Sequence, residues 1–183
     1  MQLLVSVIFH ELAMILLKVI KRFSQKTTIG DETMTHKEKA LQYFGKKFHC
    51  SQAVLAAFAK DCGITEEQAL KLGGCFGSGM RKGEVCGACT GALMVLGLLY
   101  GQCVEDDLQS RQLANEVNDE MMERFARVNG SYICNELLKC DITTPEGIAY
   151  IRQNNLFTEF CPDMVANAID ILEEILQERE MKL

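Results

Sequence analysis

The sequence predicts a single all-α domain, a bundle of helices around one buried apolar helix. Only two prolines, Pro145 and Pro162, occur in 183 residues, so long stretches lack the residue that most often ends a helix. Apolar residues from Ala40 to Phe58 recur at three- and four-residue steps, which is the spacing of one helix face. No run of alternating apolar and polar residues, the pattern of a strand, occurs along the chain.

The first 33 residues differ from the rest, and we expect the domain itself to cover residues 34–183. Residues 3–20 are apolar but include His10 and Glu11, which a membrane-spanning helix would bury at a high cost. The basic residues follow this run, whereas a secretory signal carries them before it. We therefore interpret residues 3–23 as an amphipathic helix that docks on the protein, on a partner or on a membrane surface, with a spanning anchor as the less favoured alternative.

Two helices and a glycine-rich loop make up the first part of the predicted domain. Apolar periodicity predicts a helix over residues 35–60. Thr65 and Gln68 form a capping-box pattern, which predicts a second helix from there to Leu72. Residues 73–83 contain five glycines in eleven positions, so they predict a loop with unusual backbone angles or a close approach to another group.

The second part begins with residues 86–100, which are almost uniformly apolar and predict the buried central helix. Residues 105–128 are amphipathic and highly charged, and the pair Asn129-Gly130 predicts their end. Caps and first-turn prolines predict three further helices, which start at Ser131, Pro145 and Pro162.

Charge and cysteine content limit the classes of function. The net charge is −6 and no basic stripe with interleaved aromatics occurs, so nucleic acid is not an expected partner. The nine cysteines are an odd number, so a complete disulfide framework would leave one thiol over. The chain is also long enough to fold without such cross-links. Both facts favour a reducing compartment, the cytoplasm, and cysteines that serve metal or redox chemistry.

Cys86 is the first candidate for a reactive thiolate. It stands where the glycine-rich loop enters the first turn of the apolar helix, and the N–H groups of a first turn lack partners and carry partial positive charge. Arg81 and Lys82 add positive charge nearby in sequence, so we expect the pKa of Cys86 to be lowered. Gly87 and Ala88 would offer backbone N–H groups to sulfur at a bound cofactor. A lowered pKa suits a nucleophile, a redox thiol or a metal ligand equally well.

The segment Cys86-Gly87-Ala88-Cys89-Thr90-Gly91 resembles the signature of the redox-active protein family named for a C_GCAxxG_C_C pattern, which has four shared cysteines. Further matching stretches are residues 48–54, 76–80, 92–97, 134–138 and 161–165. Carried over residue by residue, the shared cysteines fall on Cys50, Cys86, Cys134 and Cys161. The resemblance implies a redox role. A related domain in split-Soret cytochromes accompanies an iron–sulfur centre, so the resemblance also implies four thiolate ligands around a [2Fe–2S]-type cluster.

Two other readings of the same cysteines stay open. Cys86 and Cys89 form a Cys-x-x-Cys pair, so a metal-free thiol–disulfide oxidoreductase could use Cys86 with Cys89 or with another of the four. Zinc bound by four thiolates would instead make a structural interaction module. The sequence leaves open whether the protein is an enzyme. It indicates an electron-transfer partner without identifying it, and a homodimer is expected only from the frequency of such assemblies.

Overall fold

The computed structural model describes residues 34–180, and these residues contain nine α-helices and no strand. The helices are α1 (His36–Gly45), α2 (Cys50–Ala57), α3 (Glu66–Gly73), α4 (Gly87–Tyr100), α5 (Leu108–Asn129), α6 (Cys134–Leu138), α7 (Pro145–Gln153), α8 (Leu156–Glu159) and α9 (Cys161–Glu180). The predicted all-α fold class is confirmed. The helix predicted at residues 3–23 lies outside the described residues. None of the helices in the described range is long and apolar enough to cross a membrane.

Helix α4 occupies the centre of the bundle because it packs against α2, α5 and α9. It is largely buried as far as Leu96, and Ala88, Ala92 and Leu96 are at most 1% exposed. Leu98, near its end, is 44% exposed. The prediction of a buried central helix is therefore confirmed as far as Leu96, whereas the end of the helix reaches the surface.

The helix predicted over residues 35–60 is two helices, so this prediction is wrong in a way that matters for the site. Helix α1 ends at Gly45, and Lys47 then adopts a left-handed backbone with φ 72°. The chain re-enters a helix after His49, whose N–H donates to the Gln52 side chain at 2.9 Å. The apolar periodicity runs across this break because α1 and α2 bury their apolar faces in the same core. The break makes Cys50 the first residue of α2.

Cap signals elsewhere place the helix ends well, with shifts of one to three residues. The Thr65–Gln68 capping box and Pro145 at the start of α7 are confirmed. Ser131 does not cap α6 directly: its hydroxyl oxygen accepts the Ile133 N–H at 2.9 Å, and the helix begins at Cys134. Pro162 is the second residue of α9 rather than the first, because the helix begins at Cys161.

Candidate thiol redox site

One cavity of about 480 Å³ is lined by Cys50, Cys86, Cys134 and Cys161. These residues are far apart in sequence and belong to four different segments. Each of the four stands at the start of a helix: Cys86 is the N-cap of α4, and the other three are the first residues of α2, α6 and α9. The positive ends of four helix dipoles therefore meet at this cavity, and such ends favour negative charge. Sequence reasoning recognised this position for Cys86 alone.

Cys50 and Cys86 interact directly, and each thiol has the largest single effect on the pKa of the other. The Cys86 thiol donates to the Cys50 sulfur, and the backbone N–H groups of Ser78 and Ser51 also act on that sulfur. The hydrogen bond from Cys86 is the largest effect, and together these donors lower the pKa of Cys50 to about 7 despite its burial. Of the two thiols, Cys50 is therefore the one whose pKa is lowered.

The expectation that Cys86 has the lowered pKa is wrong. Its pKa lies well above the ordinary thiol value, first because it donates its proton to Cys50 and second because it is buried. The Ala88 N–H opposes this rise by donating to the Cys86 sulfur, but a single backbone donor does not outweigh both effects. The Cys86 position at a helix start was read correctly from the sequence; its neighbour Cys50 could not be seen there.

Burial has the largest effect on the pKa of the other two cavity thiols, Cys134 and Cys161. Burial raises the pKa of Cys134 to about 12, and the negative charge of Cys50 acts in the same direction. Burial likewise raises the pKa of Cys161 to about 12, again with a contribution from Cys50. Both sulfur atoms are therefore close enough to Cys50 to sense its charge, and without a bound cation they are thiols.

A pair of backbone hydrogen bonds places Cys86 beside Cys134. The Cys86 N–H donates to the Tyr132 carbonyl at 2.7 Å, and the Cys134 N–H donates to the Glu84 carbonyl at 2.7 Å. They flank an isolated antiparallel bridge between Val85 and Ile133. Each cysteine directly follows a bridged residue, so the bridge fixes both at one end of the cavity. A bridge of one residue pair leaves no periodic signal in a sequence.

The helix that begins with Cys50 packs directly against two glycines of the motif, Gly87 and Gly91. A Cβ atom on Gly87 would overlap the Cys50 sulfur, and a Cβ on Gly91 would come within 2.8 Å of the Ser51 carbonyl oxygen. Ser51 is itself fully buried, and its hydroxyl donates to the Gly73 carbonyl at 2.7 Å. The spacing of the motif glycines therefore matches the crossing of α2 over α4.

The glycine-rich loop forms a left-handed turn next to Cys50. Ser78, Gly79, Met80 and Arg81 all have φ between 54° and 60°. The prediction of unusual backbone angles is thus confirmed for this loop. The turn brings Ser78 to the cavity, whereas Arg81 and its neighbour Lys82 are exposed and do not line it.

The five remaining cysteines lie outside the cavity lining. Cys89 is fully buried, its thiol donates to the Met122 sulfur at 3.5 Å, and burial raises its pKa to about 12. Cys75 and Cys103 are exposed. Cys62 and Cys140 are partly buried, and burial raises the pKa of each. The structure therefore brings together the four cysteines carried over from the resemblance and separates them from the others.

The rest of the lining is mostly apolar. Phe44, Phe48 and Phe157 contribute aromatic rings, and Lys47 and His49 stand at the exposed rim. Within the described chain, no carboxylate lines the cavity. Phe48 and His49 lie in the stretch 48–54 that resembles the family, whereas Phe157 has no sequence signal.

The donor set of the cavity, four cysteine side chains, is one that iron–sulfur clusters and structural zinc sites share. Four cysteine thiolates are the usual ligands of a [2Fe–2S] cluster, which divides them between two iron atoms. No group of three or more His, Cys, Asp or Glu in residues 34–180 is arranged to hold a metal ion in this structure. The four cavity cysteines therefore match a cluster in the type of ligand, but their sulfur atoms are not placed as the ligands of a bound metal.

A family model matches residues 48–175 of the chain, and its description is "Putative redox-active protein (C_GCAxxG_C_C)". Comparison with curated proteins and with solved structures finds no match. The match covers more than half of the 183 residues and includes all four cavity cysteines and the motif glycines.

Proposed function

Since the chain belongs to the redox-active C_GCAxxG_C_C family, we propose that it carries electrons or senses redox state through an iron–sulfur cluster of [2Fe–2S] type. Its ligands would be Cys50, Cys86, Cys134 and Cys161. One observation carries the proposal: all four residues line a single cavity, although the chain brings them there from four separate helices.

The number of converging thiols favours a cluster over simpler thiol chemistry. A disulfide exchange needs two cysteines, whereas a [2Fe–2S] cluster needs four, and a bound cluster supplies reversible one-electron exchange. A cluster with four thiolates is an anion overall, which suits a cavity that has four helix N-termini and no described carboxylate in its lining.

The chain itself would tune such a centre through backbone donors and burial. The N–H groups of Ser78 and Ala88 donate to the sulfurs of Cys50 and Cys86, and hydrogen bonds to ligand sulfur shift the reduction potential of a cluster. The aromatic rings of Phe44 and Phe48 line the same cavity as these sulfurs, and such apolar surroundings would also influence the reduction potential.

Anaerobic purification of the full chain tests the proposal directly. We expect brown protein with visible charge-transfer absorption and with iron and sulfide in near-equal amounts. Cys50→Ser, Cys86→Ser, Cys134→Ser and Cys161→Ser should each lower the iron content, whereas the exposed-site variants Cys75→Ser and Cys103→Ser should retain it. Colourless protein that contains zinc would overturn the proposal in favour of a structural module.

A second candidate is a dithiol–disulfide couple, and the contact between the Cys50 and Cys86 thiols favours it. Oxidation would form one sulfur–sulfur bond and release two protons and two electrons to an acceptor. Cys89 is a poor partner because its thiol is fully buried and faces Met122.

Thiol counting separates the two candidates in protein that is colourless and metal-free. Alkylation and mass measurement before and after mild oxidation should show the loss of two thiols. Only Cys50→Ser and Cys86→Ser should prevent this loss if the couple is right, and Cys134→Ser serves as the matched cavity control. An iron–sulfur protein would instead depend on all four cysteines.

A further inference from the structure

The cavity is larger than the proposed centre requires. If each of the four core atoms of a [2Fe–2S] cluster takes about the volume of a water molecule, ~30 Å³, the core fills roughly 120 Å³. The cavity measures about 480 Å³, which falls in the range of small-molecule sites. Space for a second occupant therefore remains beside the sulfur atoms.

The lining of this remaining space is apolar and aromatic. Leu41, Phe44 and Phe48 come from α1 and the turn after it, and Phe157 and Met164 come from the α8–α9 region. Lys47, His49 and Thr158 are the exposed side chains of the lining that can donate hydrogen bonds. Such a lining selects a flat, uncharged molecule with acceptor oxygens near one edge.

The chemistry of small redox carriers narrows the choice. Nicotinamide and flavin nucleotides carry phosphates, which proteins bind with free helix N-termini and cationic side chains. Here the N–H groups of Ser51 and Ala88 act on sulfur, and Lys47 is the single lysine or arginine in the described lining. Quinones are the redox carriers that are planar, uncharged and rich in acceptor oxygens.

We infer that the cavity binds a quinone, with its ring between the aromatic side chains and a carbonyl oxygen near Lys47 or His49. This inference rests on the proposed redox role of the four thiols. In the metal-free form the reaction balances within the site: the Cys50 and Cys86 thiols lose two protons and two electrons and form one sulfur–sulfur bond. The two quinone oxygens gain those protons, and the quinone becomes a hydroquinone.

Equilibrium dialysis of duroquinone against the oxidised full-length protein tests the binding without turnover. Duroquinone is suitable because methyl groups block every ring position that a thiol could attack. Phe157 is 42% exposed, so Phe157→Ala should fold normally and weaken binding about tenfold. Tyr150→Ala is the matched control, since Tyr150 is 41% exposed and lies outside the cavity, and it should leave the affinity unchanged.

Oxidation by ferricyanide, a hydrophilic acceptor, separates this inference from the proposed function. Reversible oxidation by ferricyanide, at the same rate in Tyr150→Ala, together with duroquinone binding that Phe157→Ala weakens, supports both. If ferricyanide oxidises the protein but duroquinone does not bind, or binds equally to Phe157→Ala, the quinone site is wrong and the redox role stands. If FMN competes fully with duroquinone, the selection of an uncharged ligand is also wrong. If neither acceptor oxidises the protein, the proposed function itself fails.

Discussion

The sulfur atom of Cys50 lies directly against the α-carbon of Gly87, at a point where any side chain would overlap it. One helical turn further on, Gly91 meets the backbone of Ser51 in the same way. The motif glycines therefore hold α2 close to α4, and this contact brings Cys50 to Cys86. In this chain the motif glycines hold Cys50 beside Cys86 as well as shaping the backbone around Cys86.

Replacing Gly87 should disturb the site before it disturbs the fold. In Gly87→Ala the new methyl group displaces the Cys50 sulfur, and overpacking of this kind typically costs about 1–3 kcal/mol. We expect a lower free energy of unfolding in urea and, in anaerobically purified protein, a loss of bound iron. Unchanged iron content and an unchanged visible spectrum would contradict the role assigned to this contact.

Gly97 in the same helix offers the matched control. No atom lies within 4 Å of a Cβ built at this position, and the residue is exposed. Gly97→Ala should therefore stabilise the protein by roughly 0.5–1 kcal/mol, because alanine lowers the entropy of the unfolded chain and favours the helix. The same substitution is thus expected to change the free energy of unfolding in opposite directions at two positions of α4.

Cys89→Ala should preserve the redox chemistry although it alters the Cys-x-x-Cys pair. The Cys89 thiol is fully buried, contacts Met122 and does not line the cavity. Loss of this buried sulfur should cost about 1 kcal/mol of stability. Iron content and the number of oxidisable thiols should match those of the unmodified protein. If Cys89→Ala abolishes reversible oxidation, the active pair is Cys86 with Cys89.

The left-handed turn from Ser78 to Arg81 predicts that glycine substitutions at two neighbouring residues differ in their effect on stability. Arg81 and Lys82 are adjacent, exposed and equally charged, but only Arg81 has a positive φ, 60°. A left-handed backbone costs a residue with a side chain about 1–2 kcal/mol, and glycine avoids this cost. The free energy of unfolding, measured by urea titration, should therefore be about 1 kcal/mol higher for Arg81→Gly than for Lys82→Gly. Equal values for the two variants would show that the turn is not strained.

The fold class and most helix ends could be predicted because local physics determines them. The Thr65–Gln68 capping box and the Thr144-Pro145 start satisfy backbone groups within four residues. The break before Cys50 could not be predicted in this way. Its apolar residues keep helical spacing on both sides. Local hydrogen bonds from the Lys47 N–H to the Phe44 carbonyl and from the Phe48 N–H to the Tyr43 carbonyl close the turn, but a lysine stands at its left-handed position instead of the glycine that would have signalled it.

The set of four cavity cysteines was taken from the family resemblance, and the spacing of the cysteines along the sequence could not have identified it. Residue spacing contains no information that Cys134 and Cys86 follow opposite residues of one bridge. The wrong choice of Cys86 as the thiolate has the same origin. A pKa depends on neighbours in space, and the decisive neighbour of Cys86 is a thiol 36 positions earlier in the chain.

His36 should make the stability of the bundle depend on pH. Burial lowers the pKa of His36, but hydrogen bonds and charges from Asp61 and Glu173 outweigh burial and raise it above 6.5. The ring nitrogens lie 2.9 Å from the Asp61 carboxylate and 2.8 Å from the Glu173 carboxylate, which joins α1 to α9. Because the pKa is raised on folding, this contribution is complete below the unfolded value and is lost as the pH rises through the folded value.

The pH dependence of unfolding in His36→Gln isolates this contribution. Urea titrations from about pH 5.5 to about pH 8.5 should show that the variant is least stable, relative to the unmodified protein, at the acidic end. The gap should narrow as the pH rises. In the metal-free protein the Cys50 thiolate acts with the opposite sign, since its lowered pKa adds stability towards high pH. The Cys50 contribution is present in both proteins, so it cancels in the difference between their free energies of unfolding. A difference that stays constant with pH would contradict the charged state assigned to His36.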